Sequence, residues 1–263
     1  MDLISKAKDI AIKYHKGAIR KSEKDLPYIV HPFDAARIVS KVTDDENIIC
    51  ACYLHDTVED TNLSLDEIHD LFNLDIKSLV SGATEKDKSK SWEERKQERI
   101  DLEKDYDERH KLVILADKIS NLSDLRNLFY MNGKRDFSLF NRGYDKQKWF
   151  YEETYKALSY NLGSDHPLLI ELKELIEEVF SDEDISEVDK PLYYLLELSK
   201  LTRTLEEDLI LNVNDSFDKE YFEEFLNIKY DKDGLDLTKL NDKLEICKEI
   251  RKDVVKRLND KYM

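Results

Sequence analysis

The segment LHDTVEDT at residues 54–61 contains the adjacent pair His55 and Asp56, followed after one helical turn by Glu59 and Asp60. An imidazole and a carboxylate that are neighbours on a helix can both reach one ion at its edge, and residues four apart return to the same face. Acids crowded on an apolar helix are costly unless a cation or a substrate charge compensates them. A metal site is therefore indicated, although a His-Asp pair alone also fits an ordinary helix surface.

Two more residues strengthen the metal interpretation. His31 is an isolated histidine in PYIVHP, and Asp117 ends the uninterrupted apolar run LVILA. A buried carboxylate without a partner is rare, and a metal ion is one way to satisfy it. Two histidines and two aspartates form the mixed nitrogen and oxygen set expected for Mn²⁺, Fe²⁺ or Zn²⁺. The predicted ligands are thus His31, His55, Asp56 and Asp117.

The chain as a whole is predicted to be all-α. It has only 6 Gly and 4 Pro in 263 residues, and helix-forming Leu, Ile, Lys and Glu are abundant. Residues 44–61 predict one helix that runs through the His-Asp pair, and residues 85–110 predict a long, charged, solvated helix. Ser64 followed by Glu67 predicts a capping box at the start of another helix.

A boundary is predicted at the short acidic stretch SDEDISEV, residues 181–188. It separates a domain at residues 1–182 from a helical C-terminal extension at residues 189–263. Within this extension the sequence predicts three helices, of which the second covers residues 218–228 and the last starts near Leu237.

Charge and cysteine content limit the function classes. The 42 basic and 58 acidic residues give a net charge of −16, which argues against general nucleic-acid binding because that relies on cationic patches. Three cysteines do not form a disulfide framework, so free thiols in a reducing compartment are expected. No apolar run reaches transmembrane length and no signal-peptide core is present, so we expect a cytoplasmic protein that does not enter membranes.

Several segments in order resemble a known family, namely HKGAIRKS, PYIVHP, AARIVS, ACYLHDTVEDT, VSGATEKDK, SWEERK, LADKISNLSDL and FNRGYDKQKWFYEETYKAL. They are similar to the hydrolase domain of RelA/SpoT-type alarmone enzymes and to their small single-domain relatives, which are HD-domain phosphohydrolases. The resemblance covers residues 1 to about 180. It implies a helical bundle that holds Mn²⁺, or another divalent transition metal, at the four predicted ligands. It also implies removal of pyrophosphate from the 3′ position of guanosine 3′,5′-bis(diphosphate) by a water that the metal activates.

The same resemblance implies roles for other residues. Glu59 and Asp60 would orient or deprotonate the attacking water and assist the leaving group. Asn121 would hydrogen-bond the nucleotide near its ribose. Arg20 and Lys21 would meet the base and the phosphates. Independently of the resemblance, the charges of Arg95 and Lys96 make them candidates for phosphate contacts, and Tyr144 in NRGYDKQKW is a candidate to face the pocket.

Two alternatives remain open from the sequence. The segment RKSEKDLPY, residues 20–28, lacks the Gly that family members usually have there, so the substrate could be a different nucleotide or phosphate ester. Alternatively, the chain could be a nucleotide-responsive binding module, because appended helices such as residues 189–263 often bind a protein partner or mediate homo-oligomers. The intact metal set and the intact Glu59 and Asp60 favour an enzyme.

Overall fold

The computed structural model describes residues 2–21, 23–85, 89–205 and 244–263. Across these ranges the regular structure is helical, with one isolated antiparallel bridge between Ile19 and Pro27, so the predicted all-α class is confirmed. The helices are α1 (Leu3–His15), α2 (Val30–Val39), α3 (Glu46–Leu54), α4 (Thr57–Asp60), α5 (Leu65–Leu71), α6 (Leu74–Ala83), α7 (Trp92–Asp105), α8 (Glu108–Asn132), α9 (Gly143–Ser159), α10 (Pro167–Val179), α11 (Lys190–Leu205) and α12 (Leu244–Tyr262), with short 3-10 turns at Phe137–Leu139 and Glu187–Asp189. None of the helices described is both long and apolar enough to cross a membrane.

The chain forms two compact units. The first contains the residues up to Ala18 together with Tyr28–Ser123 and Phe137–Ser181. The second contains Ile19–Pro27, Asp124–Asp136 and the chain from Asp182 onward. The second unit therefore includes two segments from the first half of the sequence, and the division at residues 181–188 stays a prediction.

Helix α3 is the central element of the first unit. Its residues from Ile48 to Leu54 are all buried, and it packs against α1, α2 and α6. A helix surrounded by other helices has no solvent face, which accounts for its nearly continuous apolar sequence. Asp45 caps its N-terminus by accepting a hydrogen bond from the backbone N–H of Asn47 at 2.9 Å.

The prediction of one helix over residues 44–61 is wrong, because the chain leaves the helix at His55 and Asp56. His55 Nδ1 donates to the carbonyl oxygen of Cys52 at 2.8 Å, and the Thr57 hydroxyl donates to that of Leu54 at 2.6 Å. Side chains thereby bind carbonyl oxygens that a continuing helix would bind through its backbone. As a result, the two metal-ligand candidates lie in a turn between α3 and α4.

The charged stretch at residues 85–110 also differs from its prediction. Among the residues of this stretch that the structure describes, α7 covers Trp92–Asp105, a break follows, and α8 begins at Glu108. The predicted capping box of Ser64 and Glu67 is confirmed at the start of α5. The helix predicted at residues 218–228 lies outside the described residues, as does the predicted start of the last helix near Leu237.

Lys111 joins the ends of two helices in the first unit. Its side chain is 1% exposed, and Nζ donates to the carbonyl oxygens of Lys104 at 3.1 Å and Ala157 at 3.3 Å, and also to that of Tyr160. These carbonyls belong to the C-terminal turns of α7 and α9, where a cation is favourable.

We expect Lys111→Met to lower the free energy of unfolding by about 3 kcal/mol, because it removes a buried ammonium group that donates to three carbonyl oxygens at these helix ends. Urea denaturation followed by circular dichroism measures this change. Lys104→Met is the matched control, since Lys104 is exposed on α7. Equal effects of the two substitutions would contradict the capping role of Lys111.

Candidate metal centre

Three elements of the first unit supply the four predicted metal ligands. His31 lies in the first turn of α2, His55 and Asp56 form the turn between α3 and α4, and Asp117 lies in the middle of α8. Both histidines are 1% exposed and Asp117 is 7% exposed. Residues far apart in sequence therefore meet in the interior of this unit.

The side-chain atoms of these four residues converge. His31 Nε2 lies 3.1 Å from His55 Nε2, and Asp117 Oδ1 lies 3.3 Å from the former and 3.7 Å from the latter. Asp56 Oδ2 lies 3.4 Å from His31 Nε2 and 3.1 Å from His55 Nε2. His31, His55 and Asp117 each offer one ligand atom within 4.8 Å of the others. The arrangement brings two nitrogen and two oxygen donors toward one point.

The second nitrogen of each imidazole fixes the ring. His55 Nδ1 donates to the carbonyl oxygen of Cys52, and His31 Nδ1 lies 3.0 Å from the hydroxyl oxygen of Ser120. Such partners orient a metal-binding histidine and select the form whose Nε2 can bind the ion. Both Nε2 atoms consequently face the centre.

The charges at the centre suit a cation. Burial opposes the imidazolium form of His55, but the carboxylates of Asp56 and Asp117 together outweigh burial and raise the pKa of His55 to about 10. Burial likewise opposes ionisation of Asp56 and Asp117. The two histidines together hold the pKa of Asp56 well below its usual range, and Lys118 with the two histidines does the same for Asp117. Positive charge is needed beside the buried carboxylate of Asp117 and the partly buried one of Asp56, and a divalent ion supplies it.

Tyr28 is a residue that sequence reasoning missed. Its hydroxyl donates to Asp56 Oδ2 at 2.5 Å, and its ring lies 4.8 Å from the His15 ring and 5.9 Å from the His31 ring. Its position three residues before His31 was the available clue. Tyr28 therefore fixes the orientation of Asp56 from outside the ligand set.

We expect Tyr28→Phe to weaken Mn²⁺ binding by about tenfold, because loss of an outer hydrogen bond to a ligand typically has that effect. Isothermal titration calorimetry of the metal-free protein measures it directly. Tyr14→Phe is a control on α1. Unchanged affinity in Tyr28→Phe would show that the hydrogen bond does not support the ligand.

Glu59 and Asp60 have different surroundings. Glu59 is partly buried, and its Oε2 accepts a hydrogen bond from the backbone N–H of Glu85 at 3.2 Å. Burial raises the pKa of Glu59 above its usual value. Asp60, the last residue of α4, is exposed. Partial burial and a raised pKa thus favour Glu59 as the candidate proton acceptor, and the roles of both Glu59 and Asp60 stay predictions.

Two neighbours on α8 bind the carboxylate of Asp117. Asn121 Nδ2 donates to its Oδ1 at 2.6 Å, and Lys118 Nζ donates to its Oδ2 at 2.7 Å. The resemblance implies that Asn121 binds the nucleotide. In the structure its side chain lies within hydrogen-bond distance of Asp117, a metal-ligand candidate. Its contact with substrate stays a prediction.

Arg95 and Lys96 are joined through Glu85. Arg95 Nη1 lies 2.5 Å from Glu85 Oε2, and Lys96 pairs with the other oxygen. Burial opposes ionisation of Glu85, but Lys96 and then Arg95 lower its pKa overall. The backbone N–H of Glu85 donates to Glu59, the candidate proton acceptor. Glu85 therefore contacts both Glu59 and the two predicted phosphate-binding residues, Arg95 and Lys96. Glu85 lies among many charges in sequence and gave no individual clue.

Arg20, Lys21 and Tyr144 were also predicted to contact the nucleotide. Arg20 is 8% exposed in the second unit and pairs with Asp124, whereas Lys21 is exposed. In the first unit, the Tyr144 hydroxyl donates to the carbonyl oxygen of Phe180 at 2.8 Å. The contacts described for Arg20 and Tyr144 are with protein groups. The substrate roles of Arg20, Lys21 and Tyr144 stay predictions.

Comparison with known proteins now identifies the family. The HD domain matches residues 7–137, which include all four ligand candidates. The guanosine-3′,5′-bis(diphosphate) 3′-pyrophosphohydrolase MESH1 of Xenopus tropicalis is 40% identical over 127 residues, which are 47% of this chain and 70% of the relative. The chain belongs to the HD-domain family. A GTP pyrophosphokinase of Myxococcus xanthus is 36% identical over 136 residues, 49% of this chain and 18% of that protein.

Solved structures agree with the HD-domain assignment. The protein lmo0812 of Listeria monocytogenes aligns with a TM-score of 0.54 and 34% identity, covering 59% of this chain and 97% of the other. A metazoan SpoT ortholog that hydrolyses ppGpp aligns with a TM-score of 0.58 and 27% identity, covering 67% and 95%. The resemblance seen in the sequence is confirmed, and an HD domain implies a divalent metal ion.

Proposed function

We propose that this HD-domain protein is a Mn²⁺-dependent hydrolase that removes pyrophosphate from the 3′ position of guanosine 3′,5′-bis(diphosphate), ppGpp. The convergence of the ligand candidates on one buried point is the observation that carries the proposal. Relatives named for this reaction support the choice of substrate. The mixed nitrogen and oxygen donors support Mn²⁺.

The residues divide the chemistry between them. When bound, the divalent ion lowers the pKa of a water and polarises a phosphoryl oxygen. Glu59 takes a proton from the attacking water, and its raised pKa makes it a better acceptor near neutral pH. The water oxygen bonds to phosphorus as the bond from phosphorus to the ribose 3′ oxygen breaks. Asp60 assists departure of that oxygen, and the proton that Glu59 took from the water balances the one that the 3′ oxygen gains.

Other residues position these groups. Tyr28 holds Asp56, while Asn121 and Lys118 hold Asp117. Arg95 and Lys96 place positive charge beside Glu85, where they would offset phosphate charge. We also place the protein in the cytoplasm, because Cys50, Cys52 and Cys247 are free and buried. Residues 189–263 remain candidates for binding a second copy or a protein partner.

The test is turnover by the purified 263-residue chain with Mn²⁺ and a panel of guanine, adenine and pyrimidine nucleotides. Release of pyrophosphate from ppGpp, abolished by chelation and restored by Mn²⁺, is the expected result. Release of phosphate from another nucleotide only would overturn the substrate assignment and retain the metal site. Metal binding without turnover of any nucleotide would favour a binding module.

A further inference from the structure

Phe150 on α9 is a buried aromatic residue of the first unit, with 4% of its surface exposed. It belongs to an apolar cluster with Ile100 and Ala157, and α9 packs against α7. Close packing in a protein interior holds such a ring in one position. Phe150 can therefore act as a rigid support for side chains that lie over its face.

Two lysine ammonium groups lie over this ring. Lys96 on α7 places Nζ 4.8 Å from the ring centroid, and Lys118 on α8 places Nζ 5.4 Å from it. The two lysine side chains are 19% and 9% exposed. The negative face of an aromatic ring attracts a cation within about 6 Å, most strongly when the cation is withdrawn from water. Phe150 thus stabilises two largely buried cations from two different helices.

Both ammonium groups also contact residues of the candidate metal centre or their supports. Lys118 Nζ donates to Asp117 Oδ2 at 2.7 Å, while the other oxygen of Asp117 faces the two histidines of the centre. Lys96 pairs with Glu85, whose backbone N–H donates to the candidate proton acceptor. One ring therefore contacts a cation bound to a metal-ligand candidate and a cation bound to the support of the candidate base.

The two lysines have N–H groups left for a further acceptor. An ammonium group carries three N–H donors. Within the part of the chain that the structure describes, Lys118 has one hydrogen-bond acceptor, Asp117, and Lys96 has one, Glu85. The side chains of Lys118 and Asp117 are equally buried, at 9% and 10% exposed. An anion that reaches an ion bound to Asp117 consequently also comes close to Lys118.

The proximity of the two cations indicates the kind of anion. Burial lowers the pKa of Lys96, and the charge of Lys118 lowers it further, so each ammonium lies in the field of the other. Two neighbouring cations favour a ligand that carries several negative charges over a ligand with one. A diphosphate group offers several anionic oxygens that can accept hydrogen bonds from both lysines.

We propose that Phe150 is a positioning residue that holds Lys96 and Lys118 together as a binding site for a diphosphate group of the substrate, with Lys118 as a phosphate contact. The proposal rests on the proposed function and adds one phosphate contact and one support to it. Asp117 attracts Lys118 less when its charge is shared with a divalent ion, so a phosphate oxygen can then accept from the ammonium. The ring attracts both ammonium groups whether or not a phosphate is bound, which keeps the site assembled between turnovers.

The first test compares Phe150→Leu with the wild type, using the 263-residue chain loaded with Mn²⁺. Leucine keeps an apolar side chain but lacks the ring face, so we expect the KM for ppGpp to rise by about fivefold and kcat to change by less than about twofold. Phe137→Leu is the matched control, because Phe137 is another buried ring of the first unit and stacks on Phe180. Equal changes of KM in the two variants would assign the effect to general packing and overturn the proposal.

Fluorinated phenylalanine at position 150 tests the ring while nearly preserving its shape. Mono-, di- and trifluorinated rings attract a cation progressively less, so the KM for ppGpp should rise with each added fluorine. A constant KM across this series would overturn the role of the ring.

Substitution of Lys118 tests the new phosphate contact. Lys118→Met should raise the KM for ppGpp without weakening Mn²⁺ binding, because it removes a positive charge beside the ion. Lys118→Arg should restore most of the lost affinity for ppGpp. Weaker Mn²⁺ binding in Lys118→Met, with no change in KM, would show that Lys118 supports the metal-ligand candidate and would overturn the phosphate contact.

Nuclear magnetic resonance of the lysine side chains gives a readout that does not depend on turnover. The ring current of Phe150 should shift the ε-methylene proton signals of Lys96 and Lys118 upfield, and Phe150→Leu should remove both shifts. Normal positions of these signals in the wild type would overturn the positioning role, even if ppGpp is hydrolysed.

The same signals separate a failure of this proposal from a failure of the proposed substrate. If ppGpp is not hydrolysed but both upfield shifts are present, the Mn²⁺-loaded chain is titrated with inorganic pyrophosphate. Movement of both lysine signals would support the diphosphate site and contradict only the assignment of ppGpp. Signals that do not move would overturn the diphosphate site.

Discussion

Asp117→Asn is expected to lower Mn²⁺ affinity by at least about 100-fold and ppGpp hydrolysis by about 1,000-fold. The substitution nearly preserves the shape of the side chain, so the fold should be retained, but it removes one of two anionic donors. In the wild type, Asp117 Oδ1 lies 3.3 Å from His31 Nε2 and 3.7 Å from His55 Nε2. Metal titration by calorimetry and pyrophosphate release measure the two effects.

Asp66→Asn is the control for this substitution, because Asp66 is exposed and pairs with Lys77 at the surface. Circular dichroism of both variants checks that the helices persist. Normal metal affinity in Asp117→Asn, with the fold intact, would remove Asp117 from the ligand set.

Glu59→Gln is expected to lower kcat by about 1,000-fold and to leave Mn²⁺ affinity unchanged. Glutamine keeps the acceptor oxygen that binds the Glu85 N–H but cannot take a proton from water. Single-turnover measurement of pyrophosphate release, together with metal titration, separates the two properties. Comparable loss of metal affinity would show that Glu59 supports the ion rather than the proton transfer.

The pH dependence of kcat gives an independent check on Glu59. A base must be deprotonated, so kcat should fall as the pH falls through the pKa of Glu59. Burial raises that pKa, and the midpoint of the acid limb is therefore expected above 4.5. Asp60→Asn should leave the midpoint of this acid limb unchanged, since Asp60 is exposed and is not the proposed base.

The ligand candidates could be found from sequence because each has a local pattern: an isolated His31, an adjacent His55 and Asp56, and Asp117 at the end of an apolar run. The helix break at residues 55–56 could not be found in this way. It depends on hydrogen bonds from side chains to carbonyl oxygens, whereas helix periodicity reports only the repeat of apolar residues.

Ion pairs between residues far apart in sequence could not be predicted from the sequence either. Arg20 and Asp124 are separated by 104 positions, and no spacing rule connects an exposed-looking loop cation with an acid on α8. Glu85 lies in a run of charges in which no residue is distinguished. Tertiary packing alone decides which of these groups become buried partners. The sequence therefore predicted the metal-ligand candidates better than it predicted the charged pairs elsewhere in the fold.

The two histidines of the metal centre differ in their robustness to mutation. His55 is oriented by the backbone carbonyl of Cys52, which every amino acid provides, so no side-chain replacement at position 52 deletes the acceptor. His31 instead depends on the hydroxyl of Ser120, which a single change to alanine would eliminate. Genetic drift can therefore loosen one imidazole by a single substitution, whereas the other is held by an atom that substitution does not remove.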